Sequence, residues 1–186
     1  MNRVFMYGTL KRGQPNHYVL SEVGHERYTY IGNGFTSTKW PLVISSEHNI
    51  PYLLDKEGDG YNIKGEVYDV DDVLLRHIDQ FECYPDVYGR RKVDIIMTKE
   101  ETGANTGPKT DPTTDSKTDL AEAIRLASQP GRIMECWIYY LPEPSSLLLE
   151  LEKIEDYDSY GAHGRPYIPI YEEGKGWVGE LDKPSS

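Results

Sequence analysis

Cysteine, phenylalanine and tryptophan are scarce in this chain, and basic residues are in the minority. The 186 residues include two cysteines, three phenylalanines and three tryptophans, and 20 lysines and arginines stand against 31 acidic residues. Because proteins that bind nucleic acids usually carry a basic face, a net charge of −11 without a run of basic residues argues against a nucleic-acid partner. No apolar stretch approaches the roughly 20 residues of a membrane span, so we expect no membrane partner either.

The chain also lacks a recognisable secretory signal, since polar residues begin at Asn2 and Arg3. We therefore expect a cytoplasmic protein. In that compartment Cys83 and Cys136 are expected to be reduced thiols. A disulfide between them is the alternative.

Motifs for metals and nucleotides are missing as well. The five histidines are scattered, and neither Cys-x-x-Cys nor His-Glu-x-x-His occurs. The glycine turn at residues 8–13 lacks the Gly-Lys-Ser/Thr ending of a P-loop, and no Gly-x-Gly-x-x-Gly opens a helix. A Gly-x-Ser-x-Gly hydrolase elbow is absent too. We expect no metal and no cofactor.

What is present is a succession of short strand-like segments, separated at close intervals by Gly, Pro and Asn. The predicted strands cover residues 3–6, 27–31, 42–45, 52–55, 63–70, 92–98 and 133–141. Helices are predicted at residues 16–23, 71–81 and 147–154. This pattern indicates a meandering, mostly antiparallel sheet that could close into a barrel.

The length fits one domain, which we place at residues 1–169. Residues 99–131 interrupt it and are rich in Thr, Asp, Lys, Gly and Pro, with almost nothing to bury before Leu120. We predict a flexible surface insertion there, with a nascent helix at residues 120–127. Residues 170–186 form a C-terminal extension.

The first candidate functional element is the turn after the opening strand, at Tyr7, Gly8, Thr9 and Leu10. A strand that breaks into a glycine turn frees backbone N–H groups, which are fixed donors suited to a carboxylate or a developing oxyanion. Gly8 also carries no Cβ that would keep a ligand away from the backbone. An ordinary tight turn explains the same local pattern.

The second candidate is Glu82, at the end of the helix predicted over residues 71–81. On a helical wheel of about 100° per residue, Leu74, Ile78 and Phe81 define an apolar stripe, and Glu82 falls inside it. A carboxyl group desolvated in this way has a raised pKa and becomes a usable general base. Fraying of the helix after Phe81, which would turn Glu82 into solvent, is the alternative.

Further candidates lie on the segment that returns from Glu82. The Tyr88 hydroxyl is a candidate to orient a substrate, with a packed aromatic ring as the alternative. Arg90 either takes part in the site or pairs with a surface acid. Cys83 has no histidine near it in the sequence, so we expect a packed thiol rather than a nucleophile.

A set of motifs along the chain resembles the γ-glutamylamine cyclotransferases, which belong to the γ-glutamyl cyclotransferase-like superfamily. The longest and most specific motif runs from Tyr7 to His17. The others are Pro41-Leu42-Val43-Ile44, Glu47-His48-Asn49-Ile50-Pro51, Gly65-Glu66-Val67-Tyr68, Asp79-Gln80-Phe81-Glu82, Tyr88-Gly89-Arg90, Tyr157-Asp158-Ser159, His163-Gly164 and Tyr167. The insertion at 99–131 and the extension contain no motif residue.

The resemblance implies an α+β fold, a small, mostly antiparallel β-barrel with a few flanking helices. It implies an enzyme without a cofactor that converts γ-glutamylamines, such as the ε-(γ-glutamyl)lysine isopeptide of transglutaminase crosslinks, to 5-oxoproline and a free amine. In the family, Tyr7 to Leu10 correspond to the substrate-binding loop and Glu82 to the catalytic glutamate. The expected partner is a small γ-glutamyl substrate, and the expected state is a monomer.

Two alternatives stay open beside this activity. One is a γ-glutamyl cyclotransferase that acts on γ-glutamyl dipeptides or glutathione. The other is a non-catalytic member of the fold that only binds a ligand. The combination of a glycine turn and an inward glutamate argues against the second, because a buried carboxylate that serves no chemistry destabilises a fold.

Overall fold

The computed structural model describes residues 1–98 and 129–169. The strands are β1 (Asn2–Met6), β2 (Tyr28–Thr36), β3 (Leu42–Ser45), β4 (Ile50–Leu53), β5 (Lys64–Val70), β6 (Gly89–Met97), β7 (Ile133–Tyr140) and β8 (Lys153–Ile154). The α-helices are α1 (Val19–Glu22), α2 (Asp72–Phe81) and α3 (Ser146–Glu150), and a 3₁₀ turn spans His25–Arg27. Most of the predicted insertion, its helix at 120–127 and the extension at 170–186 lie outside the described residues.

Five of these strands close into a barrel in the order β1-β5-β2-β6-β7. Neighbours along this order are antiparallel, and a parallel contact between Val4 and Trp137 joins β1 to β7. The remaining strands form an antiparallel sheet in the order β4-β3-β8. The predicted fold, a mostly antiparallel barrel with a few helices, is confirmed.

Strand β1 is buried on both faces. Phe5 packs into one cluster of buried residues together with Val67 and Ile95, whereas Val4 and Met6 belong to a second cluster. This division follows from the period of two along a strand, in which successive side chains point to opposite faces. Because β1 is fixed from both sides, the turn that follows it starts from a rigid position.

Helix α2 packs against the outside of β1 and begins where the sequence predicts. The Asp71 carboxylate accepts hydrogen bonds from the N–H groups of Val73 and Leu74 at 2.9 and 2.8 Å, as an N-cap residue does. Asp69, two residues before the cap, pairs with Arg3 at 2.8 Å. The fully buried Leu74 belongs to the same cluster as Val4 and Met6 and anchors the helix.

The predicted bounds of several elements need correction. The helix predicted over 147–154 is wrong in its second half, because Lys153 and Ile154 form β8 and pair with Val43 and Leu42. The strand predicted at 52–55 is instead β4, two residues earlier. Strand β2 continues five residues past its predicted end at Ile31, through glycines that a local pattern reads as breaks.

Candidate active site

The turn that follows β1, residues 7–10, presents backbone hydrogen-bond donors and is called the first turn below. The turn is closed by two hydrogen bonds, from the Lys11 N–H to the Gly8 carbonyl at 3.1 Å and from the Asn16 N–H to the Thr9 carbonyl at 2.9 Å. In the part of the chain that the structure describes, the N–H groups of Gly8, Thr9 and Leu10 donate to no protein acceptor. Since buried amides are nearly always paired, these three donors are available to a ligand.

Gly8 packs closely against Pro51. A Cβ at this position would lie 3.0 Å from Cγ of Pro51, tighter than ordinary van der Waals contact. Pro51 belongs to β4, so the missing side chain lets the turn rest directly on that strand. The predicted close approach of a ligand to Gly8 stays a prediction.

Glu82 is held in place by the way α2 ends. It is the C-cap residue of the helix, and Cys83 follows in the left-handed conformation with φ 51°. The Tyr84 N–H donates to the Asp79 carbonyl at 2.8 Å and the Cys83 N–H to the Gln80 carbonyl at 3.1 Å. This pair of bonds is a Schellman motif, so the helix ends in a defined geometry and does not fray.

The protein environment gives Glu82 an unusual proton affinity. The residue keeps part of its surface accessible, where it lines a cavity, and is otherwise enclosed. Desolvation, together with the negative charge of Asp79, raises the pKa of Glu82 from 4.5 to about 8. At neutral pH the group therefore exchanges a proton readily, which is the property of a general acid–base catalyst.

A cavity of about 70 Å³ brings the two candidate elements together. Every residue of the predicted site lines it: Tyr7, Gly8, Thr9, Leu10, Glu82 and Tyr88. The inward position of Glu82 that the helical wheel predicts is therefore present. The catalytic and binding roles of these residues stay predictions.

Two tyrosines of this cavity are buried and remain protonated. Burial is the main cause that raises the pKa of Tyr7 well above 10, with the charge of Glu82 adding to it. Burial likewise raises the pKa of Tyr88, with contributions from Tyr7 and Glu82. Tyr88 also stacks on Tyr52, with ring centroids 6.4 Å apart. It is thus both a packed ring and a neutral hydroxyl donor, so the two interpretations of Tyr88 are compatible.

Arg90 lies behind the cavity rather than in it. Its guanidinium contacts the Asp79 carboxylate at 2.6 Å, and the Tyr139 hydroxyl donates to the same carboxylate oxygen at 2.6 Å. Both members of the ion pair are largely buried, with 14% and 18% of their side chains exposed. The predicted pairing of Arg90 with a surface acid is therefore corrected to a buried pair, which holds Asp79 near Glu82.

Cys83 adjoins the cavity and forms no disulfide within residues 1–98 and 129–169. Partial burial and the nearby charge of Glu82 raise its pKa. A raised pKa disfavours the reactive thiolate, in agreement with the packing role predicted for this residue.

Three further polar residues of the cavity wall were missed as site residues: Asn16, Tyr139 and Tyr167. Asn16 and Tyr167 lie in motifs, but nothing local indicates that they face Glu82. Tyr139 belongs to a strand with several aromatic residues, and only barrel closure places it here. The signal that could find them is three-dimensional, because the chain segments that bring them together are far apart in sequence.

A second, more polar groove of about 480 Å³ lies beside the first turn. Its charged side chains pair with one another, as in the contacts of Lys11 with Asp156 at 2.5 Å and of Arg12 with Glu66 at 3.0 Å. Among the described residues, no group of three or more His, Cys, Asp or Glu could hold a metal ion. No helix within residues 1–98 and 129–169 is long and apolar enough to cross a membrane.

Comparison with known proteins identifies relatives for nearly the whole chain. Residues 4–162 match the family described as "Gamma-glutamyl cyclotransferase, AIG2-like". A Rattus norvegicus protein named Gamma-glutamylaminecyclotransferase is 36% identical over 169 residues, which are 91% of this chain and 97% of the relative. A Drosophila melanogaster protein named Putative gamma-glutamylcyclotransferase CG2811 is 48% identical over 100 residues, 54% of this chain and 64% of that protein.

A solved structure agrees with these sequence matches. The crystal structure of an AIG2-like protein from Mus musculus superposes with a TM-score of 0.72 at 34% identity, and the match covers 92% of this chain and 98% of that one. Fold and sequence thus point to the same relatives. The chain belongs to the γ-glutamyl cyclotransferase, AIG2-like family.

Proposed function

We propose that this protein is a γ-glutamylamine cyclotransferase, which converts a γ-glutamylamine into 5-oxoproline and the free amine. The observation that carries the proposal is the pairing of Glu82, with a pKa of about 8, and three unpaired backbone N–H groups around one cavity. The rat relative, whose name states this activity and which aligns with 91% of the chain, supports the same function.

The reaction is an intramolecular aminolysis. The α-amine of the substrate attacks its own γ-amide carbonyl carbon, a C–N bond forms in a five-membered ring, and the original amide C–N bond breaks. Because the nucleophile is tethered to the carbonyl, the cavity has only to fold the glutamyl chain into an attacking geometry. Alignment of this kind contributes up to about 7–11 kcal/mol in favourable cases.

Glu82 carries the proton between the two nitrogens. The α-amine is protonated at neutral pH, and the leaving nitrogen departs poorly unless it receives a proton. In its ionised form Glu82 takes a proton from the α-ammonium, and in its neutral form it gives that proton to the leaving nitrogen. The second proton, which the attacking nitrogen loses as the ring forms, follows the same route, so the amine leaves as an ammonium ion. A carboxyl group with a pKa of about 8 is suited to both steps, since neither form is strongly disfavoured near neutrality.

The backbone donors of the first turn hold the negative charge. The N–H groups of Gly8, Thr9 and Leu10 bind the α-carboxylate of the substrate or the oxyanion of the tetrahedral intermediate. Removal of one oxyanion donor typically costs about 3–4 kcal/mol of transition-state stabilisation. An orienting role of Tyr88 toward the same groups is supported by its position on the cavity wall and by its raised pKa, which keeps the hydroxyl neutral.

The proposed substrates are γ-glutamylamines with a primary aliphatic amine, notably the ε-(γ-glutamyl)lysine isopeptide left by proteolysis of transglutaminase crosslinks. We place this activity in the cytoplasm and assign it to a monomer. A second candidate is the cyclisation of γ-glutamyl dipeptides, which the name of the Drosophila relative favours. The two differ in the leaving nitrogen, which is a primary aliphatic amine such as Nε of lysine in the first case and the α-amine of an amino acid, next to its carboxylate, in the second.

The test is a 5-oxoproline assay on three compounds: ε-(γ-glutamyl)lysine, γ-glutamyl-alanine and glutathione. We expect turnover of the first and at least tenfold lower kcat/KM for the other two. Glu82→Gln, which keeps the shape of the side chain and removes its proton transfer, is expected to lower kcat by at least 1000-fold. Glu135→Gln removes the same charge from an exposed surface pair with Lys92 and serves as the control with unchanged kcat.

Each arm of the assay can contradict a different part of the proposal. Wild-type turnover by the Gln variant would exclude Glu82 as the proton carrier. Preference for γ-glutamyl-alanine would assign the second candidate function. An absence of 5-oxoproline from all three compounds would leave a binding protein and refute the enzyme.

A further inference from the structure

Asn16 is a buried polar residue on the cavity wall. The residue is only 3% exposed and lines the cavity together with Glu82. Its backbone N–H and carbonyl are both bonded, to Thr9 and Val19, but its carboxamide makes no hydrogen bond in residues 1–98 and 129–169. The amide group is thus held in place without being used inside the fold.

The accessible part of Asn16 is its amide group. The fully enclosed polar atoms without a partner in the described chain are Nε of Arg90 and the hydroxyl of Tyr157. The amide atoms of Asn16 also lack a partner in the described chain but are absent from this fully enclosed set, so they retain some accessible surface. Because Asn16 lines the cavity, this surface faces the cavity. A carboxamide there offers two N–H donors and one acceptor to a ligand.

Such an arrangement is unfavourable for a side chain that only fills space. A buried polar group without a partner typically costs about 1–3 kcal/mol, so a side chain that only filled space would be better apolar. The nearby residues Leu10, Val19 and Leu20 are apolar and at most 4% exposed, so an apolar side chain would suit this part of the chain. The polar choice at this position indicates a ligand group that completes its hydrogen bonds.

The position of Asn16 within the cavity indicates which ligand group this is. The hydrogen bond from its N–H to the Thr9 carbonyl, at 2.9 Å, ties it to the turn that carries the unpaired N–H groups. Glu82 comes from another element, the end of α2. Donors therefore gather on the side of the first turn, and the proton carrier stands on the side of the helix.

We propose that Asn16 is a substrate-binding residue, whose amide Nδ2 donates a hydrogen bond to the α-carboxylate of the γ-glutamyl group. This inference rests on the proposed function and assigns the carboxylate to the first turn. A carboxylate has about four lone-pair sites, so Asn16 and the backbone N–H groups can bind it together. With the carboxylate fixed there, the neighbouring α-ammonium is directed toward Glu82.

The test compares a γ-glutamylamine with its decarboxylated analogue, the 4-aminobutanoyl amide of the same amine, with amine release as the readout. The analogue can still cyclise, to 2-pyrrolidinone, but has no α-carboxylate. We expect Asn16→Ala to lower kcat/KM for the γ-glutamyl substrate about 10- to 100-fold, as for a lost charge-assisted hydrogen bond. We expect less than a threefold effect on the analogue. Asn16→Asp has a side chain of the same shape. It should lower kcat/KM for the γ-glutamyl substrate, relative to the analogue, even more than Asn16→Ala does, because its carboxylate repels that of the substrate.

Asn62→Ala is the matched control. The Asn62 amide donates to the carbonyls of Thr36 and Ser37 at 2.8 and 3.1 Å, so its loss should lower the melting temperature and leave the ratio of the two substrates unchanged. Asn16→Ala breaks no hydrogen bond of the fold and should melt at or above the wild-type temperature.

Two results would overturn the inference, and they are distinguishable. If the wild type turns over the γ-glutamylamine but Asn16→Ala lowers both substrates equally, Asn16 has a structural role and the proposed function stands. If the wild type releases amine from neither compound, the proposed function fails and the inference fails with it.

Discussion

The raised pKa of Glu82 affects both the chemistry of the cavity and the stability of the fold. Its pKa is raised from 4.5 to about 8 because protein surrounds it and Asp79 lies close by. Between these two pH values the folded chain keeps a proton that the unfolded chain has released. Raising the pH across this window therefore favours the unfolded state. The resulting decrease in the free energy of unfolding measures how much the ionised carboxylate destabilises the fold.

We expect Glu82→Gln to stabilise the protein above pH 8 but not at pH 4. At pH 4 both variants carry a neutral side chain of the same shape, so their free energies of unfolding should agree. The difference in favour of Gln should then grow from pH 4.5 to 8, by at most about 1.4 kcal/mol per pH unit, and stay constant above. Denaturant unfolding of both variants at several pH values measures it.

The control for this prediction is a carboxylate outside the cavity. Glu135 lies on the surface of β7 and pairs with Lys92, so Glu135→Gln removes an ion-pair partner and should not make the protein more stable than the wild type at high pH. A constant difference between wild type and Glu82→Gln from pH 4 to 9 would mean that Glu82 titrates normally. The catalytic proposal would then lose its physical basis.

Single residues of the site were predictable to different degrees. Glu82 was found because a charged residue inside an apolar stripe conflicts with the local pattern. Tyr7 to Leu10 were found because a glycine turn follows a strand. Tyr139 and Tyr167 carry no such conflict, and only the closed barrel and the path of residues 156–168 bring them to the cavity.

At the scale of elements, the end of α2 decides where Glu82 points. A Schellman motif usually has glycine in its left-handed position, because a side chain there is strained. Here Cys83 occupies that position with φ 51°. The sequence therefore contains no glycine signal at this helix end, and fraying was the natural alternative.

We expect Cys83→Val to destabilise the protein by about 1–2 kcal/mol, because a β-branched residue is poorly tolerated in the left-handed region. Cys83→Asn should stay within about 0.5 kcal/mol of the wild type, since asparagine adopts this conformation readily. Thermal unfolding measures both. The Val variant should also lose activity, since it disturbs the residue next to Glu82.

The second free cysteine supplies the comparison. Cys136 lies in β7, where extended backbone favours β-branched residues, so Cys136→Val should cost less than Cys83→Val despite its complete burial. Equal costs at both positions would show that thiol packing, not backbone conformation, determines the effect at Cys83.

Other elements show what local patterns capture and what they leave out. Helix α2 was predicted because its apolar period and its Asp71 cap are both local. Strand β8 was not, because residues 147–154 have a helical pattern and pairing with β3 is a long-range event. The predicted strand at 27–31 ends before β2 does, because the pairing of residues 32–36 with β5 and β6 is also long-range. A Cβ at Gly34 would lie 2.7 Å from a side-chain atom of Ile95, so that glycine serves barrel closure and is not a break.

At the scale of the whole molecule, residues 156–168 act as a strap between two walls of the cavity. On the side of the first turn, the Gln14 amide donates to Asp158 at 3.1 Å and accepts from the Ser159 N–H at 2.8 Å. On the side of the turn between β3 and β4, the Asn49 amide donates to the Pro166 carbonyl at 2.8 Å. The strap thus connects these two walls.

Further contacts on the side of the turn between β3 and β4 strengthen this connection. The Ile168 N–H donates to the His48 carbonyl at 2.9 Å, and the imidazole of His48 lies 3.1 Å from the Ile168 carbonyl. Tyr167 stands between these anchors and lines the cavity. It is partly exposed, whereas Tyr7, Gly8 and Leu10 are buried, so Tyr167 belongs to the mouth of the site.

We expect loosening of the strap to weaken substrate binding more than catalysis. Gln14→Ala removes two hydrogen bonds of about 1 kcal/mol each, and Asn49→Gly removes one while preserving the left-handed backbone at that position, φ 55°. Each variant should raise KM for ε-(γ-glutamyl)lysine about three- to tenfold and leave kcat within a factor of two, because Glu82 and the first-turn donors belong to other elements. Gln80→Ala, on the exposed face of α2, is the control with unchanged KM. If both strap variants fold correctly by circular dichroism and keep the wild-type KM, the strap does not contribute to substrate binding. The shape of the cavity would then depend on β1, β4 and α2 alone.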